Sequence, residues 1–141
     1  MQNSELNECD CDGYRPIHHA LLADDVARLD QLLSEGALLN LPTEGGEGIL
    51  SLALRAHSDE KARLWIDRLL NRGAELIDRD RNGDTALHVA ARSGYTESVR
   101  CLMDAGADPY LKNVRGERPI DLAQSNPTLR ELLVPKTPEK S

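Results

Sequence analysis

A segment near the N-terminus, CDCDGYRPIHH at residues 9–19, concentrates side chains that could bind a metal ion. Thiolate and imidazole groups are the ligands that zinc prefers, and this segment holds two of each. However, Cys9 and Cys11 are separated by one residue instead of two, and no second Cys/His pair follows at ligand spacing. We therefore expect no metal and no other cofactor. A metal-responsive or redox-responsive sensor that uses Cys9, Cys11 and His19 remains the alternative.

The other candidate reactive groups have ordinary structural explanations. Cys101 shares a helix column with Gln31 and Arg68, which places it at the surface or rim without a histidine partner. Asp24 and Asp25 stand at a predicted helix start, where capping and the helix dipole favour acidic residues. No glycine-rich phosphate loop is present. The sequence therefore predicts a protein that is not an enzyme.

Composition limits the class of protein. A chain of 141 residues fits one domain, and an aromatic content of 3% without phenylalanine favours helices packed through aliphatic side chains. The net charge of -7 repels phosphates, so we expect no nucleic-acid partner. We find no signal peptide, no membrane span of about 20 apolar residues and an odd number of cysteines. These features predict a soluble, cytoplasmic protein that does not bind membranes.

The chain contains an internal repeat that explains most of these residues. One pattern occurs four times, as GYRPIHHAL, GEGILSLAL, GDTALHVAA and GERPIDLAQ, with opening glycines 33, 37 and 33 residues apart. A second glycine stands ten residues before each new opening glycine, at Gly36, Gly73 and Gly106. Four extra residues lie between Gly46 and Gly73, so we expect one additional turn within AHSDEKARLW.

Each repeat has the spacing of two helices. Val26, Leu29, Leu32 and Leu33 follow helical periodicity, and equivalent apolar residues occupy the same columns in the next two repeats. The glycine after each run favours a left-handed position that ends the longer helix. A shorter helix precedes it, over about residues 16–22 in the first repeat and 85–92 in the third. Each unit is therefore predicted to be a helix, a turn, a helix and an extended finger.

This pattern resembles the ankyrin-repeat family, whose unit of about 33 residues opens with G-x-T-P-L-H-x-A-A. The stretch GDTALHVAARSGYTESVRCLMDAGADPY matches it almost completely, whereas the second and fourth repeats are degenerate. The resemblance implies an all-α solenoid of helix-turn-helix units with projecting finger loops. We expect a lead-in at 1–9, a repeat domain at 10–134 and a disordered tail at 135–141. The repeats would span about 10–42, 43–79, 80–112 and 113–134.

The resemblance also implies that the chain binds another protein through its concave face, where fingers meet short helices. Transferred by column, this face would include Tyr14, His19, Leu22, Glu47, Arg55, Arg81, Asp84, Arg92, Arg115 and Glu117. Its acidic finger edge favours a partner with a basic surface, and Arg55 and Arg92 could grip a carboxylate or carbonyl. Alternatively, the charges only keep the solenoid solvated, and the two arginines pair with acids such as Asp59.

A module of this kind would act through binding alone. We expect it to be a monomer by itself and to serve as an inhibitor, an immunity-type antidote, an adaptor or a regulator. Arginine outnumbers lysine thirteen to four, which favours a bacterial origin. A secreted effector that acts on a host is a further alternative.

Overall fold

A computed structural model describes residues 13–76, 79–123 and 126–133, and it confirms the predicted helical repeats. Within these ranges the chain forms no β-strand. The helices, in chain order, are α1 (Pro16–Leu22), α2 (Val26–Ser34), α3 (Ile49–Ala56), α4 (Asp59–Asn71), α5 (Ala86–Ser93), α6 (Thr96–Asp104), α7 (Pro119–Leu122) and α8 (Pro127–Leu133). The predicted lead-in at 1–9 and tail at 135–141 lie outside the described residues, and so do the two N-terminal cysteines.

The helices pack in two rows that share one apolar core. Each short helix contacts the long helix of its own repeat, and α1, α3, α5 and α7 also contact one another in sequence. The long helices α4, α6 and α8 form the second row. Leucine, isoleucine, valine and alanine side chains fill the space between the rows, with Leu21, Leu52 and Leu87 almost fully buried. Because each repeat buries its apolar face against its neighbours, the stack is stable only as a series.

Left-handed glycines end the long helices, as the spacing predicts. Gly36, Gly73 and Gly106 have φ angles of +105°, +99° and +100°. A residue with a Cβ atom is strained in this region, whereas glycine is not. The chain therefore leaves each long helix at the same angle and enters the next finger in the same direction.

The four-residue insertion in the second repeat is one added helical turn. Helix α4 contains 13 residues, whereas α2 and α6 contain nine each. Trp65 lies on this longer helix and is only 2% exposed. Its indole Nε1 donates a hydrogen bond of 2.8 Å to the carboxylate of Asp24 in the first repeat. Trp65 therefore joins two repeats from within the core and does not form a contact surface on the outside.

Hydrogen bonds of a histidine at the start of α5 connect the third repeat to the fourth finger. In the third repeat Nδ1 of His88 accepts from the Thr85 amide, and Nε2 lies 2.9 Å from the carbonyl oxygen of Glu117 in the next finger. His88 therefore has a structural role at the junction of the third and fourth repeats. In the degenerate fourth repeat an ion pair between Arg118 and Asp121 stands at the corresponding helix start, and hydrogen bonds from Arg118 lower the pKa of Asp121 to about 2.

Asp59 has a different role from the one expected. Its carboxylate accepts hydrogen bonds from the amides of Glu97 and Ser98, at 3.0 and 2.9 Å, and from the Ser98 hydroxyl. Asp59 thus caps the first turn of α6 in the neighbouring repeat, where unpaired amides and the helix dipole favour a carboxylate. Its bonds hold two repeats together and leave Arg55 and Arg92 to other acids.

Candidate functional site

An open cavity of about 1030 Å³ lies where the first three fingers meet the C-terminal ends of α3 and α5. The repeat geometry places it there, because each finger turn is followed directly by a short helix. Six of the ten residues predicted for the concave face line this cavity: Tyr14, Glu47, Arg55, Arg81, Asp84 and Arg92. Residues that are far apart in sequence thus share one surface, in agreement with the column assignment.

Asp84 and Arg92 form a fixed ion pair on the floor of the cavity. Two guanidinium nitrogens of Arg92 donate to the two carboxylate oxygens of Asp84, at 3.0 and 3.3 Å. Asn113, from the fourth finger, donates a third hydrogen bond of 2.8 Å. Burial by itself would raise the pKa of Asp84, but these hydrogen bonds outweigh it and hold the pKa below its ordinary value. The same bond raises the pKa of Arg92, so both groups are charged near neutral pH.

Glu47 and Arg55 repeat this pair one unit earlier, with weaker support. The Nε atom of Arg55 lies 2.5 Å from a carboxylate oxygen of Glu47. Here burial has the larger effect, and it raises the pKa of Glu47 although Arg55 acts in the opposite direction. Glu47 lacks an amide donor equivalent to Asn113 among the hydrogen bonds of the described residues. The second repeat therefore holds its carboxylate less firmly than the third.

The finger turns form the rim of the cavity. In the third finger the carboxylate of Asp80 accepts from the amides of Asn82 and Asp84, at 2.9 and 3.0 Å, so the turn uses one of its oxygens. Arg81 extends over Gly46 and donates a 3.0 Å hydrogen bond to the carbonyl oxygen of Glu44. Asp10 and Asp12, which precede Gly13 in the first finger, lie outside the described residues.

A second, more apolar cleft of about 520 Å³ adjoins the cavity. Its lining includes the buried side chains of Leu52 and Leu54, the exposed Leu22 and the half-buried Tyr95. The Tyr95 hydroxyl donates a 3.0 Å hydrogen bond to the carbonyl oxygen of His57, which fixes the ring. Three residues line both spaces, namely Tyr14, Arg55 and Ser93. The two cavities are therefore parts of one continuous groove.

The remaining predicted residues lie around this groove. His19 is exposed beside Tyr14, with ring centroids 5.7 Å apart in an edge-to-face arrangement. Arg115 lines a smaller space of about 200 Å³ beyond Arg92, and the half-buried Glu117 accepts a 3.0 Å hydrogen bond from Asn113. The sequence reasoning placed Asn113 at a finger tip in the column of Asp80 but did not predict its hydrogen bond to Asp84; Asn113 also organises its own turn as Asp80 does.

The described residues show neither a metal cluster nor a membrane-spanning helix. Within ranges 13–76, 79–123 and 126–133, no three His, Cys, Asp or Glu side chains are grouped as metal ligands. The alternative sensor depends on Cys9 and Cys11, which fall outside those ranges. None of the described helices is long and apolar enough to cross a bilayer. Burial and the nearby Asp67 raise the pKa of Cys101, which disfavours the thiolate form that a nucleophile needs.

Comparison with known proteins identifies what this arrangement is similar to. A family model described as ankyrin repeats (3 copies) matches residues 28–113 and, in an overlapping match, residues 65–138. Human NF-kappa-B inhibitor delta is 31% identical, over 92% of the chain and 50% of its own length. The intracellular phospholipase A2 of Caenorhabditis elegans is 33% identical, over 84% of the chain and 12% of its own length. The chain spans half or less of the length of these relatives.

A solved structure gives the same result for the fold. The crystal structure of the ankyrin repeat domain of Bcl-3, described as a unique member of the IkappaB protein family, matches with a TM-score of 0.81 and 27% identity. The match covers 94% of this chain and 55% of that chain. The helical stack is thus similar in fold to a solved ankyrin repeat domain.

Proposed function

Since this chain belongs to the ankyrin-repeat family, we propose that it is a protein-protein interaction module that holds a partner protein in the groove between its fingers and short helices. The observation that carries this proposal is the convergence of six predicted contact residues on one open cavity. Their charged groups are held by the ion pairs of two successive repeats, so the surface is formed before a partner arrives. Such preorganisation lowers the entropy cost of association.

Binding itself would be the biological action of this segment. We propose that it acts as an inhibitor, an immunity-type antidote, an adaptor or a regulator, by covering or placing the partner that it holds. The similarity to a protein named NF-kappa-B inhibitor delta favours the first of these roles. The similarity to a phospholipase covers 12% of that enzyme, so it gives no support for phospholipase activity here. We propose no catalytic step.

The overall charge favours a partner whose surface is mainly basic. The chain has a net charge of -7, and opposed electrostatic potentials raise association rates and disfavour competing acidic proteins. This attraction acts over distances of about 8 Å at physiological salt. Long-range attraction therefore raises the rate at which a basic partner reaches the concave face, whereas short-range contacts in the groove determine which partner binds.

Site-specific photo-crosslinking tests this function. A photoreactive p-benzoylphenylalanine would replace Ser93, which lines both parts of the groove, and in a control protein it would replace Leu64, which is 54% exposed on α4. We expect the Ser93 position to form an adduct with one protein in cells of the source organism, and unlabelled wild-type protein to compete with it. Adducts only from the Leu64 position would place the partner on another surface and refute the proposal.

A further inference from the structure

The arginines in the groove are more exposed to solvent than the acids with which they pair. In the second repeat the side chain of Arg55 is 56% exposed, but that of its partner Glu47 is only 15% exposed. In the third repeat the values are 46% for Arg92 and 3% for Asp84. The acids lie beneath the arginines, so a molecule that enters the groove meets guanidinium groups first.

The buried acids hold these guanidinium groups in fixed orientations. Two nitrogens of Arg92 donate hydrogen bonds to Asp84, and Nε of Arg55 pairs with Glu47. A guanidinium group has five N–H donors, so each arginine keeps further donors that are directed away from its acid. Arg81 adds a third guanidinium to the same cavity, held by the carbonyl oxygen of Glu44. A planar guanidinium with free donors matches a carboxylate better than any other protein side chain does.

Two acids of the rim also line this cavity, so its lining holds four acids and three arginines, and what favours an anion is confined to the exposed guanidinium groups of Arg55 and Arg92. Asp80 accepts the amides of its own finger turn. Glu44 is exposed, and one of its carboxylate oxygens lies close to Gly13 at the edge of the cavity. Arg55 and Arg92 lie further inside, near the C-terminal ends of α3 and α5, whereas Arg81 lies at the rim beside Gly46. A carboxylate is therefore repelled weakly at the edge and stabilised at the floor.

The apolar cleft lies directly beside these arginines. Because Tyr14, Arg55 and Ser93 line both spaces, a group bound to Arg55 is adjacent to the cleft. Its volume of about 520 Å³ and its leucine and tyrosine lining suit a large apolar side chain. Apolar anchors of this kind, placed in a pocket beside charged groups, dominate the energetics of many interfaces.

We propose that the groove recognises a partner segment in which an aspartate or glutamate side chain lies close to a large apolar side chain. The carboxylate binds among Arg55, Arg81 and Arg92, and the apolar side chain occupies the cleft between Leu22 and Tyr95. This inference rests on the proposed function and specifies its partner. It is compatible with a partner that is basic overall, because one acidic side chain at the contact is sufficient.

Selection from a random twelve-residue peptide library, displayed with its C-terminus fused to the phage coat, tests the proposal on the full chain. This format offers no free terminal carboxylate, so an acidic preference must come from Asp or Glu side chains. We expect enriched peptides to share an acid and a nearby Leu, Ile, Met or Phe. Enrichment of basic peptides, of acids without an apolar neighbour, or of nothing above a blank support overturns the proposal.

Two matched substitutions then distinguish the arginine from its partner acid in binding of the synthetic form of the selected peptide. Arg55→Gln should weaken binding about tenfold, because a charge-assisted contact is lost. Glu47→Gln should leave binding unchanged or tighten it up to about fivefold, because it removes the competing acid beneath Arg55. Tighter binding by Arg55→Gln together with weaker binding by Glu47→Gln would show that the groove selects a cation and would refute the proposal.

A loss of peptide binding must be distinguished from a loss of folding. Both substitutions are conservative in size, and circular dichroism and thermal melting show whether each variant is folded. If Glu47→Gln does not fold, Leu22→Gln provides a second test at an exposed position, and it should weaken peptide binding about threefold or more by removing apolar contact. Peptides that bind the groove without a carboxylate overturn this inference alone. The photo-crosslinking result at Ser93 decides the proposed function independently.

Discussion

The pH dependence of stability should reveal the buried imidazole of His18. This ring is fully buried in α1, and its Nδ1 accepts a 3.0 Å hydrogen bond from the Arg15 amide, which requires the unprotonated nitrogen. Burial lowers the pKa of His18 from 6.5 to about 4; the Leu41 backbone opposes this with the next largest effect, and the charges of Arg15 and His19 add smaller effects that lower the pKa further. The folded protein thus keeps this ring neutral at mildly acidic pH.

The sign and size of the effect follow from this pKa difference. The unfolded chain binds a proton at His18 below about pH 6.5, whereas the folded chain does so only near pH 4. The stabilisation is therefore complete above pH 6.5 and is lost progressively as the pH falls toward 4. At 1.36 kcal/mol per pKa unit the full loss is ~3 kcal/mol, of which ~2 kcal/mol should be lost between pH 7.5 and 5. This is a large part of a typical domain stability of 5–15 kcal/mol.

Urea unfolding of the wild type and of His18→Gln at pH 7.5, 6.5, 5.5 and 5.0 measures this contribution. The variant should be less stable at pH 7.5, but its free energy of unfolding should fall ~2 kcal/mol less than that of the wild type on acidification. All other titrating groups are common to both proteins and cancel in the difference. His19→Gln, at an exposed neighbouring position, should behave like the wild type. Parallel pH profiles of wild type and His18→Gln, within ~0.5 kcal/mol, would contradict the assignment.

Further substitutions test the stack and its connections. Leu87→Asp should unfold the chain or reduce its stability by more than ~3 kcal/mol, because it buries an unpaired charge at a side chain that is 1% exposed. The control Leu64→Asp, on the surface, should cost less than ~0.5 kcal/mol. Far-UV circular dichroism and urea unfolding distinguish the two variants. Asp59→Ala should cost ~1–2 kcal/mol, because it removes the cap that joins α4 to Ser98 in the next repeat, and faster amide exchange at the start of α6 should accompany this loss. The neighbouring Glu60→Ala is its control, and equal losses in both variants would show that Asp59 has no special role.

The repeat spacing was sufficient to predict the fold and the position of the groove. Recurring glycines and apolar columns determine where helices end and which faces are buried, because both depend on local backbone geometry and helical periodicity. The predicted added turn is present in α4, and Asn126 caps α8 with a 3.2 Å hydrogen bond to the Leu129 amide. Six of the contact residues that were selected by their column in the repeat line one cavity.

The pairing of charges in the groove could not be predicted from short-range rules. Helical neighbours at i+3 or i+4 suggested Asp59 as a partner for the arginines, but the actual partners lie eight residues before each arginine, across the turn into the short helix. One signal was available: Glu47 to Arg55 and Asp84 to Arg92 have the same offset in consecutive repeats. Their burial order, with the acids beneath the arginines, depends on packing between fingers and therefore needed coordinates.

The length of α4 shows how such an array tolerates growth. An insertion of four residues rotates the following chain by about 400°, so the apolar face returns to within about 40° of its original direction, whereas one added residue would turn it by about 100° toward water. On this longer helix Trp65 donates its hydrogen bond to Asp24 of the first repeat. Insertions and deletions in the long helices of this protein should therefore be accepted in whole turns and rejected in fractions of a turn. Adding one whole turn to a long helix should therefore enlarge the row of long helices without disturbing the groove.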